Sequence, residues 1–291
     1  MLPSSLPHDN LVDVSRGKNK AMSEKKVRHI LSLSGGKDSA ALAVYMRDRV
    51  QGMEYIFHDS GKELPETLQY IDRLEVYLGK SVHRTTPPTS FDHWYTVYGD
   101  IIPSNHRRWC TKMLKLQPFE DYIGEDPCFN YIGIRADEKR IGYISHKPNI
   151  TAVFPFRDDG KTYADIVRLL QEAGLGMPGY TDWGRTRSGC FFCFYQQKIE
   201  WVRLKEKYPD KFEEAKAYEK PNKINGNVFY WCGNESLADL EKPERMAEIK
   251  ANWVAGQARL KRNASDKTLV SILAGYEDES STRQGCAICS L

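Results

Sequence analysis

The 291-residue sequence predicts an α/β fold, with a parallel-sheet domain followed by a helical subdomain. Three observations carry that prediction. A short β-rich apolar run passes through a glycine turn into an apolar helix, the strand-to-helix alternation then recurs, and after Gln197 the pattern turns charged and helix-rich. Hydrophobic residues make up 41% of the chain, enough to build a core, so wholesale disorder is excluded. No apolar run approaches the ~18–20 residues of a spanning helix, and the first twenty residues lack the apolar stretch of a secretory signal. A soluble cytoplasmic protein without membrane association is expected. With 42 basic and 39 acidic residues the net charge is +3, so nucleic-acid binding driven by bulk charge is excluded and any such contact must be local.

Residues 1–26 are polar, carry Pro3 and Pro7, and read as a flexible leader. Residues 27–33 (VRHILSL) form the kind of apolar run expected of a strand buried in a parallel sheet. They lead into Ser34-Gly35-Gly36-Lys37-Asp38-Ser39 and then a helix beginning AALAVYM. Residues 54–58 predict a second strand, and 65–78 a helix with Leu68, Ile71, Leu74 and Leu78 on one face. Residues 129–134 predict a third strand, and 164–173 a helix ended by Gly174. The expected division is a sheet domain over 27–196, a helical subdomain over 197–275 and a mobile tail over 276–291.

A glycine turn between a buried strand and a helix points backbone N–H groups and the positive end of the helix dipole at one spot, which makes an anion site. Gly35 and Gly36 permit close approach and positive φ, Ser34 and Ser39 add hydroxyls, and Lys37 adds charge. Asp38 is placed either to cap the helix or to hold a magnesium ion on bound phosphates. The Walker A spacing is absent. Seven cysteines, an odd count with two Cys-x-x-Cys pairs (Cys190/Cys193 and Cys286/Cys289), argue for metal or thiol chemistry over a disulfide framework. A pair in a polar tail is suited to a swinging catalytic dithiol that carries a persulfide.

Ser34–Ser39 resembles the pyrophosphate loop of the N-type ATP pyrophosphatases, whose fold is that of the adenine nucleotide alpha hydrolases. Further segments resemble the phosphoadenosine phosphosulfate (PAPS) reductase branch in the right order: His58-Asp59-Ser60-Gly61, Gly133-Ile134-Arg135-Ala136-Asp137-Glu138, Phe154-Pro155-Phe156 and Arg187-Ser188-Gly189-Cys190; Arg108-Trp109-Cys110-Thr111-Lys112 and Ser188-Gly189-Cys190-Phe191-Phe192-Cys193 resemble its upstream and downstream cysteine segments. The resemblance covers roughly 27–220. It implies ATP with Mg²⁺ on the loop, with Lys37 and Asp38 in catalysis and Asp59, Ser60, Gly61, Arg135 and Glu138 beside the nucleotide. It also implies a [4Fe–4S] cluster on Cys110, Cys190 and Cys193, with Cys232, the tail pair or no fourth ligand completing it. Zinc on the two Cys-x-x-Cys pairs is the rival reading.

Trp109 stands where cluster-bearing reductases have the first of two adjacent cysteines, and the reductases' C-terminal Glu-Cys-Gly-Leu-His is absent. The resemblance therefore favours an ATP-dependent sulfurtransferase that adenylates an acceptor, releases pyrophosphate and inserts sulfur. Its nearest look is to bacterial DNA phosphorothioation, which implies a cysteine desulfurase and DNA or another nucleic acid as partners and leaves homo-oligomerisation open. The alternatives are a sulfonucleotide reductase, a tRNA thiolation enzyme and a non-catalytic nucleotide-binding iron–sulfur regulator.

Overall fold

A computed structural model describes residues 26–86, 89–140, 142 and 145–264; the expected tail and nearly all of the leader lie outside them. The elements in chain order are β1 (Arg28–Leu33), α1 (Lys37–Met46), β2 (Met53–His58), α2 (Pro65–Leu78), β3 (Val82–Thr85), α3 (Phe91–Val97) and α4 (Trp109–Thr111). From α4 the chain continues through a π-helical stretch (Lys112–Leu116) into α5 (Gln117–Ile123), then β4 (Cys128–Tyr131), β5 (Ile150–Val153), α6 (Pro155–Asp158) and α7 (Tyr163–Glu172). A 3₁₀ turn (Gly179–Trp183) precedes α8 (Lys198–Lys207), α9 (Pro209–Lys216), α10 (Leu237–Leu240) and α11 (Pro243–Ala264).

The five strands are all parallel, in the order β3-β2-β1-β4-β5. Successive side chains on a strand face opposite sides, and the core divides accordingly. Leu31, Leu33, Tyr55 and Phe57 meet the apolar faces of α1, α2 and α7, while Ile30 and Ile56 meet Phe119 and Ile123 of α5. Burial on both faces explains why the central strands read as unbroken apolar runs. The two edge strands, β3 and β5, escaped the sequence reading because each is four residues long with only its first residue buried.

The third strand ends at Tyr131, three residues before the expected limit. Beyond it Ile132 and Ile134 stay fully buried, and the Ile132 N–H makes a last bond to the Val153 carbonyl of β5 (2.9 Å). α2 matches its expected range and closes on Gly79, whose N–H donates to the Glu75 and Val76 carbonyls. α7 opens on a Thr162–Asp165 capping box.

The helices after residue 197 share one aromatic core with the segment around α3 and α4. Trp201, Phe212 and Trp231 pack with Phe91, Trp109, Phe191 and Phe192. Phe192 stacks on Trp231 at 5.0 Å between centroids. This core anchors both cysteine-bearing segments, Cys110 on α4 and the turn containing Cys190 and Cys193.

The sheet order also locates the site. β1 pairs β2 on one side and β4 on the other, so the connections from the ends of β1 and β4 leave in different directions and open a crevice there. The glycine turn follows β1, and residues 132–138 follow β4.

Candidate functional site

The glycine loop folds as a closed unit held by its own serines. Ser34 N–H donates to Ser39 Oγ (3.1 Å), the two hydroxyls share a hydrogen bond (3.1 Å), and Ser39 Oγ donates to the Gly36 carbonyl (3.2 Å). Gly35 takes φ +69°, the left-handed conformation expected of it. Gly36 does not: it is extended at φ −90° and is needed for room, since a Cβ there would lie 2.7 Å from Ser188 Oγ. Gly36 caps α1 with no side-chain hydrogen bond, so of the two roles open to Asp38, helix capping is not the one it takes.

Asp38 sits between two cations. Its carboxylate accepts from Lys37 Nζ (3.2 Å) and from Arg135 Nη1 (2.8 Å). Burial works to raise its pKa, but Lys37 and Arg135 outweigh burial and hold the carboxyl well below its ordinary range. Arg135, 3% exposed, also donates from Nε to Asp137 (2.9 Å) and pairs with Glu138 (3.0 Å), which in turn binds Arg140. The expected residues Lys37, Asp38, Arg135 and Glu138 thus form one charge network at the ends of β1 and β4.

Asp59, Ser60 and Gly61 follow β2. Asp59 Oδ1 accepts from Gly61 N–H (2.8 Å), closing a tight turn. Ser60 is buried and faces the cysteines: its Oγ donates to Glu63 Oε1 (2.9 Å) and lies 3.1 Å from Cys190 Sγ.

Cys110, Cys190 and Cys193 all line a single cavity. Phe91, Leu114, Phe192, Phe194 and Tyr195 make its walls largely apolar, with Ser60, Thr111 and Lys115 as polar members. Trp109 occupies the core behind Cys110, donating its indole N–H to the Ile101 carbonyl (3.1 Å) and stacking on Tyr98. The tryptophan that replaces a second cysteine is therefore an anchor for α4. Burial, and then the neighbouring Glu63 carboxylate, push the Cys190 thiol up.

Three thiols on one cavity are the kind of donor set that an iron–sulfur cluster takes. Among the described residues no three His, Cys, Asp or Glu side chains converge tightly enough for one metal ion. Cys110, Cys190 and Cys193 would supply thiolate ligands to such a cluster. Cys232 is not among the residues lining that cavity; it is mostly buried beside Glu219, Glu235 and Lys198, and its thiol is pushed up to about 12. Cys286 and Cys289, which the zinc reading needs, lie outside the described residues.

Sequence reading missed Tyr180 and the placement of Ser188. The Tyr180 hydroxyl accepts from Lys37 N–H (3.3 Å) at the start of α1, from 143 positions away. An aromatic in a turn gives no sign of such a contact. Ser188 meets Gly36 and donates to Ser34 Oγ (3.4 Å), and Cys190, two residues on, contacts Ser60. The glycine loop and the thiol cavity therefore share a wall.

A family model for the phosphoadenosine phosphosulfate reductase domain matches residues 28–194. The chain belongs to this family. The matched stretch contains the glycine loop, Arg135 and the three cavity cysteines. Two uncharacterized proteins of Methanocaldococcus jannaschii are similar to the chain. The first is 28% identical over 199 residues, 64% of this chain and 40% of the relative. The second is 25% identical over 202 residues, 63% of this chain and 45% of the relative. The chain spans less than half the length of these relatives.

Among solved structures, the PAPS reductase from Candida auris in its phosphate complex superposes with a TM-score of 0.45 at 14% identity, covering 57% of this chain and 82% of that one. The U34-tRNA thiolase from Methanococcus maripaludis with its [4Fe–4S] cluster gives 0.38 at 14% identity, covering 72% and 80%. No helix of the described residues is long and apolar enough to cross a membrane.

Proposed function

We propose that this PAPS reductase-family chain is an ATP-dependent sulfurtransferase. The observation that carries the reading is the shared wall: Ser188 touches the glycine loop, and Cys190, two residues later, lines the cavity with Cys110 and Cys193. A protein that activates an acceptor with ATP and then delivers sulfur to it needs the two sites in contact.

The α1 N-terminus, whose N-cap residue is a glycine, and Lys37 hold the phosphates of ATP, and Asp38 supplies the carboxylate for Mg²⁺. Arg135 keeps Asp38 ionised and oriented through a bond at 2.8 Å. An acceptor oxygen attacks the α-phosphate, pyrophosphate leaves, and the oxygen becomes part of a good leaving group, AMP. Cys110, Cys190 and Cys193 would hold a [4Fe–4S] cluster. When bound, the cluster supplies an iron coordination site for sulfur in an apolar cavity. Phe91, Phe192 and Phe194 keep water from that cavity.

For the acceptor we favour the DNA backbone, with a cysteine desulfurase as sulfur source; this rests on the resemblance of the Trp109-Cys110-Thr111 and Cys190–Cys193 segments to phosphorothioation sulfurtransferases. The family match itself favours a second reading, reduction of a sulfonucleotide. Pyrophosphate release separates the two. Anaerobically reconstituted protein with ATP, Mg²⁺, desulfurase, cysteine, excess dithiothreitol to reduce the persulfide sulfur, and DNA is expected to release pyrophosphate and place sulfur in the DNA. No pyrophosphate, together with thiol-dependent release of sulfite from PAPS, would replace the first reading with the second.

A further inference from the structure

Arg185 is 2% exposed; its guanidinium lies over the Trp183 ring, 5.9 Å from the centroid, and among the described residues no carboxylate pairs with it. Its Nη2 donates to the Cys190 carbonyl (2.6 Å), while Nε and Nη1 are buried with no hydrogen-bond partner among the described residues. Glu63, beside Cys190, keeps its Oε1 on Ser60 Oγ, and two further carboxylates of the surrounding segments are committed to other donors. Glu66 accepts from Trp183 Nε1 (2.9 Å) and the Tyr208 hydroxyl (2.5 Å). Glu200 accepts from Thr186 N–H (2.6 Å) and Oγ1 (2.9 Å) and from Gln197 N–H (2.8 Å). A guanidinium keeps its proton at any accessible pH, and burying it uncompensated is costly. A buried water would satisfy a donor without answering the charge.

Five residues earlier, Tyr180 is equally buried, and its hydroxyl accepts from Lys37 N–H at the start of α1. No described group accepts the Tyr180 proton. The Tyr180 backbone carbonyl binds Arg185 N–H (3.1 Å), and the Arg185 charge is felt at the Tyr180 phenol. One short segment thus carries three buried donors without acceptors, together with one positive charge, and Tyr180 sets that segment against the start of α1.

We propose that Tyr180 and Arg185 form an anion receptor behind the glycine loop that takes a phosphate of the nucleotide chain, the portion released as pyrophosphate. The inference rests on the ATP reading above and adds to it a residue pair that discriminates pyrophosphate-bearing ligands from AMP. The two side chains are closed off, so phosphate entry requires the 179–189 segment to shift. That segment carries Ser188 and ends beside Cys190.

The test is calorimetric titration of the full chain with inorganic pyrophosphate, a non-hydrolysable ATP analogue and AMP, each with Mg²⁺, alongside thermal melting. Arg185→Met is expected to weaken pyrophosphate and the ATP analogue at least tenfold and AMP less than twofold, and to melt no lower than wild type without ligand, because it removes an uncompensated charge. Tyr180→Phe is expected to weaken the same two ligands severalfold. Should Arg185→Met fail to fold, Arg185→Lys, which keeps the charge and loses the planar fork, is expected to show an intermediate loss. Wild-type affinity in Arg185→Met or Arg185→Lys, or a lower melting point with an unchanged pyrophosphate response, overturns the proposal alone. A wild-type chain that binds neither pyrophosphate nor the ATP analogue overturns the ATP reading along with it.

Discussion

Gly36→Ala probes the wall between the two sites with the smallest possible change. The backbone there, at φ −90° and ψ 159°, suits alanine, so the effect is one of contact alone. The added Cβ would lie 2.7 Å from Ser188 Oγ and 3.1 Å from Ser34 Oγ. Both neighbours are short side chains tied into hydrogen bonds, so neither can swing away freely. Forcing about half an ångström of separation between packed segments costs about 1–3 kcal/mol. In a chain of this size that is a fall of about 2–12 °C in melting temperature. The same displacement moves the Cys190 turn relative to the loop, and pyrophosphate release should fall with it.

Ser188→Ala supplies the control. It removes the 2.7 Å contact and leaves Ser188 Cβ at 3.5 Å, an ordinary contact, so Gly36→Ala combined with Ser188→Ala should regain about 1 kcal/mol relative to additivity in a double-mutant cycle read by urea denaturation. Gly35→Ala is the contrast. It meets Thr67 Cγ2 at 2.4 Å and also sits at φ +69°, so Thr67→Ser should relieve the contact and leave about 1–2 kcal/mol of backbone cost. Additive behaviour of Gly36→Ala with Ser188→Ala, or a Gly36→Ala protein as stable as wild type, would refute the packed-wall reasoning.

Cys110→Ser, Cys190→Ser and Cys193→Ser should each lose visible absorbance and bound iron after anaerobic reconstitution, whereas Cys128→Ser and Cys232→Ser retain them; iron assays decide. Burial raises the Cys128 and Cys232 thiols to about 12, so iodoacetamide at pH 8 should leave both unmodified in the folded chain, as read by mass spectrometry of peptides. The depressed Asp38 carboxyl stabilises the fold at pH values above its unfolded pKa of ~4, and that contribution is lost as pH falls toward its folded value. Asp38→Asn should therefore cost about 3 kcal/mol at pH 7, the low end for a broken buried pair because Asp137 and Glu138 still face Arg135. The difference from wild type should shrink below pH 4 in a melting series, and a gap that is constant with pH counts against the network.

Legibility followed burial. β1 and β2 lie inside the sheet with apolar neighbours on both faces, so their sequences are apolar throughout and could be read directly. β3 and β5 lie at the edges, where partial exposure permits residues such as His83, Arg84 and Thr151, and their pattern resembles a loop. The helices were legible by period where one face meets the sheet, as in α2. The stretch from Trp109 to Ile123 was not, because it packs on several sides and passes through a π-helical segment.

The motifs by themselves were enough to single out the glycine loop, Arg135 and Glu138 after β4, and the three cysteines, since local chemistry dictates those residue types at those spacings. Their convergence was not available to a linear reading. Cys110 reaches the cavity because Trp109 and Phe91 anchor α4 in the same aromatic core as Phe192, and the loop meets the cysteine turn because Ser188 fits only against a residue with no side chain at position 36. Tyr180 and Arg185 gave no signal at all: a tyrosine and an arginine in a turn are ordinary surface residues in sequence. Only the packing of the 179–189 segment against the start of α1 buried a hydroxyl and a guanidinium whose donors remain to be met.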